Sequence, residues 1–153
     1  MIALIQRVAN AKVEIDGREV GAIGSGLLAL LAVRKGDDVD SSARLLERVL
    51  SYRVFSDEQG KMNRSLQDTA GGLLLVPQFT LAADTRAGTR AGFSSAAEPV
   101  VARQLFAHFL ALAQARHPRV AAGQFGANMQ VSLVNDGPVT FWLESATGTA
   151  SQT

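Results

Sequence analysis

The sequence predicts a single β-rich domain of the α/β class, with mixed sheets layered against two main helices, and three observations carry that expectation. Short apolar runs bounded by Asp, Gly and Ser turn signals fill the first 33 positions. Two segments, following Asp37 and Pro99, carry apolar residues at helical spacing. The order is three strands, a helix, further strands, a long helix and closing strands, with no internal repeat, which suits helices packed on a mixed sheet. The 153 residues fit one domain, expected over 1–146, with small polar residues at 147–153 expected to form a flexible tail.

Met1 to Val8 is mostly apolar, and Lys12-Val13-Glu14-Ile15 alternates as a half-buried strand should. Asp16-Gly17 is the preferred two-residue hairpin loop, because both central residues need positive φ. Gly24-Ser25-Gly26 breaks the chain before a buried strand from Leu27 to Val33, and these three strands read as a β-meander. Asp37, Asp38 and Asp40 place negative charge at a helix start, with Ser41 or Ser42 as the expected cap. Leu45, Leu46, Val49 and Leu50 form the apolar stripe, leaving Arg44, Glu47 and Arg48 to water. Tyr52 to Phe55 returns to extended structure, and Asp57-Glu58-Gln59-Gly60 is a turn. Leu73 to Val76 is a short buried strand leading into Pro77-Gln78-Phe79-Thr80, and Leu81 to Ser95 is irregular. A loop that long inside an ordered domain usually has a use. The second helix is expected from Pro99, a good first-turn residue, to Pro118, which would end it. Met129 to Val134 and Val139 to Leu143 read as the last two strands, separated by a turn at Asn135-Asp136-Gly137-Pro138.

Composition narrows the function classes. The absence of cysteine excludes disulfides, thiolate nucleophiles and Cys-based zinc sites. The longest apolar run, Leu27 to Val33, is far short of the roughly 20 residues a spanning helix needs, and the first residues lack the basic leader and cleavage site of a signal peptide. A cytoplasmic protein without membrane partners is therefore expected. Net charge is +1, from 15 basic and 14 acidic residues, which argues against gripping a long duplex. A nucleic acid partner would be touched over a small part, such as a single-stranded end.

The usual catalytic residues are scarce. His108 and His117 both fall on the second helix, too far apart to share a face as a metal pair, and each reads as a packing or capping residue. Asp37, Asp38 and Asp40 suit a helix start, and Asp84 suits a loop held by side-chain-to-backbone bonds. No metal and no cofactor is expected. Two segments break local rules. Gln78 and Thr80 alternate with apolar neighbours at a strand end before a long loop, although no base adjoins Thr80 in sequence. Pro138 directly after Asp136-Gly137 cannot donate to a strand ladder. On pattern alone, Thr80 is equally a plain β-branched strand residue and the Gly137-Pro138 segment an ordinary trans turn.

Five segments in order resemble the D-aminoacyl-tRNA deacylase family: Ile5-Gln6-Arg7-Val8; Gly24-Ser25-Gly26-Leu27-Leu28; Arg53-Val54-Phe55-Ser56-Asp57 with Gly60-Lys61-Met62-Asn63; Gln78-Phe79-Thr80-Leu81 with Ala83-Asp84-Thr85; and Asn135-Asp136-Gly137-Pro138-Val139-Thr140. Together they reach nearly the whole chain, to about Glu144. The resemblance implies a homodimer with its active sites at the subunit interface, hydrolysing the ester of a D-aminoacyl-tRNA at the RNA 3′ end as chiral proofreading in translation. It further implies that Gly137-Pro138 is cis and filters chirality in the partner's pocket, that Arg7 braces this corner, and that Gln78, Phe79 and Thr80 line the reacting carbonyl. With no base beside Thr80, assistance by the substrate's ribose 2′-hydroxyl is preferred to a Thr80 nucleophile. Glycyl-tRNA is an open second substrate.

Two positions depart from the family pattern. Pro77 stands where Ser is common, removing a hydroxyl and an N–H, and Arg90 leads into Ala91-Gly92-Phe93 rather than Arg-Pro-Ser-Phe. A non-catalytic module holding an RNA end, and a threonine-based esterase of small D-amino-acid esters, are the competing readings.

Overall fold

The computed structural model describes residues 1–147, so the expected tail lies almost wholly outside the described residues. Its organising element is a first strand far longer than the apolar opening suggested. β1 (Ile2–Ile15) turns at Asp16 and Gly17, whose φ values of 51° and 76° meet the hairpin's requirement, into β2 (Arg18–Ile23). The next strand, β3 (Gly26–Ala32), does not continue a meander by pairing with β2. It pairs antiparallel with the first half of β1, from Ile2 to Val8, while β2 occupies the second half, from Ala11 to Ile15. The fourteen residues of β1 therefore seat two strands in succession on one side.

Beyond β3 the sheet continues in parallel. Helix α1 (Val39–Ser51) follows β3, a small hairpin is formed by β4 (Phe55–Ser56) and β5 (Met62–Arg64), and a single turn, α2 (Leu66–Thr69), precedes β6 (Gly72–Pro77). β6 lies parallel to β3, and helix α3 (Pro99–Arg116) leads to β7 (Val120–Ala122), parallel to β6. The order is β2-β1-β3-β6-β7, and β8 (Gln130–Glu144) runs antiparallel along the other side of β1. Neither α2 nor β7 was expected: one turn is too short to show a period, and Val120-Ala121-Ala122 is too short to read as a buried run.

Side-chain alternation divides the interior. Leu27, Ala29 and Leu31 of β3 and Leu73 and Leu75 of β6 face the helices, meeting Leu45, Leu46, Val49 and Leu50 of α1 and Leu105, Phe106 and Phe109 of α3. Leu28, Leu74 and Val76 face the opposite way, into a second core with Val8, Ala11 and Val13. β1 serves both cores because its pairing with β8 slips between Val8 and Asn10, so Ala3 and Ile5 face the helices while Ala11 and Val13 face away. Truncating such a buried Leu to Ala costs about 2–5 kcal/mol. At the start of the β3–β6 pair no side chain fits at all: a Cβ on Gly26 would lie 1.9 Å from the Gly72 carbonyl oxygen.

Helix α1 is capped one turn earlier than expected. Asp38 is the N-cap, accepting from the Ser41 N–H at 2.9 Å, while the Ser41 hydroxyl accepts from the Asp38 N–H at 3.1 Å. Ser41 is thus the reciprocal partner of a capping box, and Ser42 is simply buried. The Ser41 backbone and hydroxyl hold the Asp38 carboxyl below the ordinary carboxylate range. Because folding lowers that pKa, the contribution is complete above the ordinary range and is lost as pH falls through the lowered value. Asp38→Ala should therefore lower the urea midpoint at pH 7, with the gap to the wild type closing as pH falls towards 2. A gap of constant size down to that pH would show that the carboxylate's charge is irrelevant to the cap.

Candidate active site

The strand end at Pro77 is set by its neighbour. Gln78 donates its N–H to the Leu31 carbonyl at 2.7 Å, and so the anchoring rung does not involve Pro77. The chain then bends into a 3₁₀ turn, Phe79–Ala82, closed by Leu81 N–H to Gln78 O at 3.2 Å and Ala83 N–H to Thr80 O at 3.1 Å. A helical turn leaves its first N–H groups without partners of its own, and here they are those of Phe79 and Thr80. The Gln78 carboxamide donates to the Thr80 hydroxyl, the hydroxyl is exposed, and the Phe79 ring, 60% exposed, packs on Phe93 at 5.2 Å between centroids. Beside Gln78 and Phe79 lies a cavity of about 450 Å³, walled by Val33, Val76, Phe125, Met129 and Val131 among others. Arg103 sits over the Phe125 ring, 4.9 Å from its centroid.

The Gly137-Pro138 segment is not the hairpin turn that the dipeptide suggested. β8 passes through it without reversing. Gln6 pairs with Thr140 and Val8 with Asn135, so five steps along β8 oppose two along β1, and the surplus bulges out of the sheet. Asn135 closes the bulge from within: its Oδ1 accepts from the Val139 N–H at 2.9 Å, and its Nδ2 donates to the Thr140 hydroxyl at 2.8 Å. Strand pairing is interrupted and resumed in the same direction, which a Gly-Pro pair in sequence cannot distinguish from a turn. The Gly137-Pro138 peptide is cis, and Gly137 has φ 137°. A Cβ there would lie 2.7 Å from Val139 Cγ2, so the position admits only glycine.

Arg7 joins this bulge to the body of the protein. Its Nε donates to the Asp136 carbonyl at 2.9 Å and an Nη to the Val54 carbonyl at 2.7 Å, while the Asp136 carboxylate stands off at 3.9 Å. Residues Asp136, Gly137 and Pro138 are exposed.

The six site residues expected from sequence therefore form two groups, Gln78-Phe79-Thr80 and Arg7-Gly137-Pro138, and among the described residues no hydrogen bond joins them within one chain. Sequence reading assigned no role to Asn135, Thr140 or the Val54 carbonyl. Asn135 and Thr140 flank the Gly-Pro pair and could have been suspected as its closing polar residues; a backbone carbonyl has no sequence signal. Phe125 and Met129 were likewise missed, hidden among small and polar neighbours. His117, the residue that ends α3, is buried with its Nε2 2.6 Å from the carbonyl of Gly71, which lies just before β6 and outside the helix, so its ring packs against the sheet's entry, and His108 is half-buried. Asp84 holds the following loop as expected, accepting from the Arg86 N–H at 3.1 Å and clamping the guanidinium at 2.9 and 2.8 Å. Among the described residues no group of three or more His, Asp or Glu is placed to hold a metal.

The fold is a mixed-sheet domain, and its candidate site consists of backbone amides, neutral side chains and a braced backbone corner. The chain belongs to the D-Tyr-tRNA(Tyr) deacylase family, whose model matches residues 4–144. It is similar to a D-aminoacyl-tRNA deacylase of Thioalkalivibrio sulfidiphilus, 65% identical over 144 residues covering 94% of this chain and 97% of the relative. Another from a Janthinobacterium species is 62% identical with the same coverage. Among solved structures, a c-Myc DNA unwinding element binding protein superposes with a TM-score of 0.91 at 36% identity, covering 95% of this chain and 99% of that one.

Hydrogen bonds from a charged donor contribute about 1.5–3 kcal/mol each. Replacing Arg7 with Met removes two of them and should raise hydrogen exchange at the Val139 amide at least about tenfold, leaving amides of β3 and β6 unchanged. Unaltered protection at Val139 would show that Asn135 alone holds the bulge.

Proposed function

We propose that this chain hydrolyses the ester joining a D-amino acid to the 3′ end of tRNA, as a cytoplasmic proofreading enzyme, and that it acts as a homodimer with its sites at the interface. The carrying observation is the exposed Gly137-Pro138 corner, held by Arg7 and Asn135 although among the described residues no side chain hydrogen-bonds to Gly137 or Pro138. The family, and the relatives named as D-aminoacyl-tRNA deacylases, support the substrate class. No helix among the described residues is long and apolar enough to cross a membrane.

The outer edge of β8 supports the homodimer. Among the described residues β8 pairs only with β1, leaving a 15-residue strand edge unpaired, with Val134 52% and Trp142 48% exposed along it. Proteins rarely leave so long an apolar edge uncovered. A two-fold axis beside this edge brings each corner to the other chain's Gln78-Phe79-Thr80 turn, giving two equivalent sites. Backbone carbonyls of Gly137 and Pro138 then crowd the substrate's α-carbon on the side an L side chain would occupy, whereas a D side chain points away.

Hydrolysis adds water across the ester: the carbonyl carbon gains a hydroxyl, its bond to the ribose oxygen breaks, and that oxygen takes a proton. Charge accumulates on the carbonyl oxygen, where the Phe79 and Thr80 amides are the available donors. Among the described residues the Thr80 hydroxyl bonds only to the Gln78 carboxamide, which is not a base in either orientation. An unactivated hydroxyl is a poor nucleophile, so the neighbouring ribose 2′-hydroxyl assists the water instead. The cavity walled by Phe125 and Met129 has the size and apolar character to take the terminal nucleoside.

Incubation with D-tyrosyl-tRNA and L-tyrosyl-tRNA should release only the D-amino acid. Binding of both without release would leave a module that merely holds RNA ends, and equal turnover of both would remove the filter. Thr80→Ala should keep activity within about tenfold of wild type; a loss of several orders of magnitude would make Thr80 the nucleophile, and equal rates on a free D-amino-acid ester would make tRNA incidental.

A further inference from the structure

The loop between the 3₁₀ turn and α3 carries charge that the chemistry above does not use. Asp84 and Gly92 exchange backbone hydrogen bonds at 2.7 and 2.9 Å, closing the intervening residues into a tight excursion. A depression of about 500 Å³ opens on it, lined by Asp84, Arg86, Ala87, Arg90, Gly92 and Ser94. Between Asp84 and Ser94 the only charged residues are Asp84, Arg86 and Arg90, so the loop is net positive. Arg90 has no acidic partner among the described residues.

Arg86 is aimed rather than neutralised. The Asp84 carboxylate takes its Nε–H and one N–H of Nη2, leaving three of the five guanidinium donors free in a side chain 88% exposed. The Arg86 side chain, and then its backbone N–H, hold the Asp84 carboxyl down to about 2, so the clamp is ionised throughout the working pH range. A guanidinium fixed in this way, with open donors, is suited to a phosphate.

The loop also lies beside the site. Phe93, between the lining residues Gly92 and Ser94, packs on Phe79, which in turn borders the apolar cavity. We infer that the depression carrying Arg86 and Arg90 is a phosphate-binding site for the single-stranded RNA backbone immediately preceding the terminal nucleoside. This inference rests on the reading of the cavity as the seat of that nucleoside. It gives a chain of net charge +1 a local hold on a polyanion, because Arg86 and Arg90 stand next to the stretch of RNA it has to grip.

The test compares wild type with R86A/R90A and R86K/R90K. Binding of an uncharged RNA hairpin with a single-stranded 3′ end is followed by fluorescence anisotropy across salt concentrations, and hydrolysis is measured on D-tyrosyl-tRNA and on the D-tyrosyl ester of adenosine, which has no phosphate. R86A/R90A should bind the hairpin about tenfold more weakly, with a log–log salt slope shallower by about 1.4, or about 0.7 for each phosphate no longer neutralised. Its turnover of charged tRNA should fall through KM, its turnover of the adenosine ester should stay within about twofold, and R86K/R90K should recover most of the binding. An unchanged slope, or equal losses on both esters, would overturn the phosphate site. A wild type that binds RNA with this arginine-dependent slope yet releases no amino acid would overturn the deacylase reading and leave the phosphate site standing.

Discussion

Arg7 bonds two carbonyl oxygens that come from distant parts of the chain, one at Val54 before the small hairpin and one at Asp136 in the β8 bulge. The shape of the Gly137-Pro138 corner depends on that pair of bonds. A bulge with a surplus of backbone has many conformations available, and ordering each residue costs about 1–2 kcal/mol of conformational entropy. Two charge-assisted bonds from a side chain rooted in the longest-paired strand offset much of that, and Asn135 closes the remainder. The exposed Gly137-Pro138 peptide is thereby presented as a fixed shape rather than a mobile loop. The proposed filter works by collision, so it must not yield, and the bracing supplies that stiffness.

The sheet supplies the other half of the site by a different route. Parallel pairing of β6 between β3 and β7 buries Leu73 to Val76 on both faces and fixes where the strand ends. The Gln78 rung to Leu31 then determines where the 3₁₀ turn begins, and so where the Phe79 and Thr80 amides point. Both halves are backbone groups positioned by packing and pairing. Under the proposed mechanism an ester hydrolase needs no paired histidine and carboxylate: the substrate's own ribose hydroxyl assists, and the protein supplies orientation, oxyanion donors and exclusion of the wrong hand.

How far this could be read in advance differs from element to element. The Asp16-Gly17 hairpin, the stripe of α1 and the span of α3 follow from local chemistry, and the structure agrees with each. The pairing of β3 with the first half of β1 could not be read, because connectivity and adjacency in a sheet are separate matters and the turn at Gly24-Ser25 permits either. The continuity of β8 could not be read either: Asp136-Gly137-Pro138 has turn chemistry, and only long-range pairing to β1 on both sides shows that the chain never reverses. Of the site, Gln78, Phe79, Thr80, Arg7, Gly137 and Pro138 were singled out by family resemblance, while the physical pattern marked only two segments that broke local rules. What Arg7 binds was invisible, since main-chain carbonyls leave no trace in residue types.

In the proposed function, selection is made by a rigid backbone collision on the L side and not by recognition of a D side chain. The most direct measurement compares kcat/KM for D-alanyl-, glycyl- and L-alanyl-esters of one tRNA. A collision filter predicts glycine within about tenfold of D-alanine and L-alanine lower by at least about a thousandfold, equivalent to some 4 kcal/mol. Glycine rejected as strongly as L-alanine would contradict the account, because a residue without a side chain has nothing to collide.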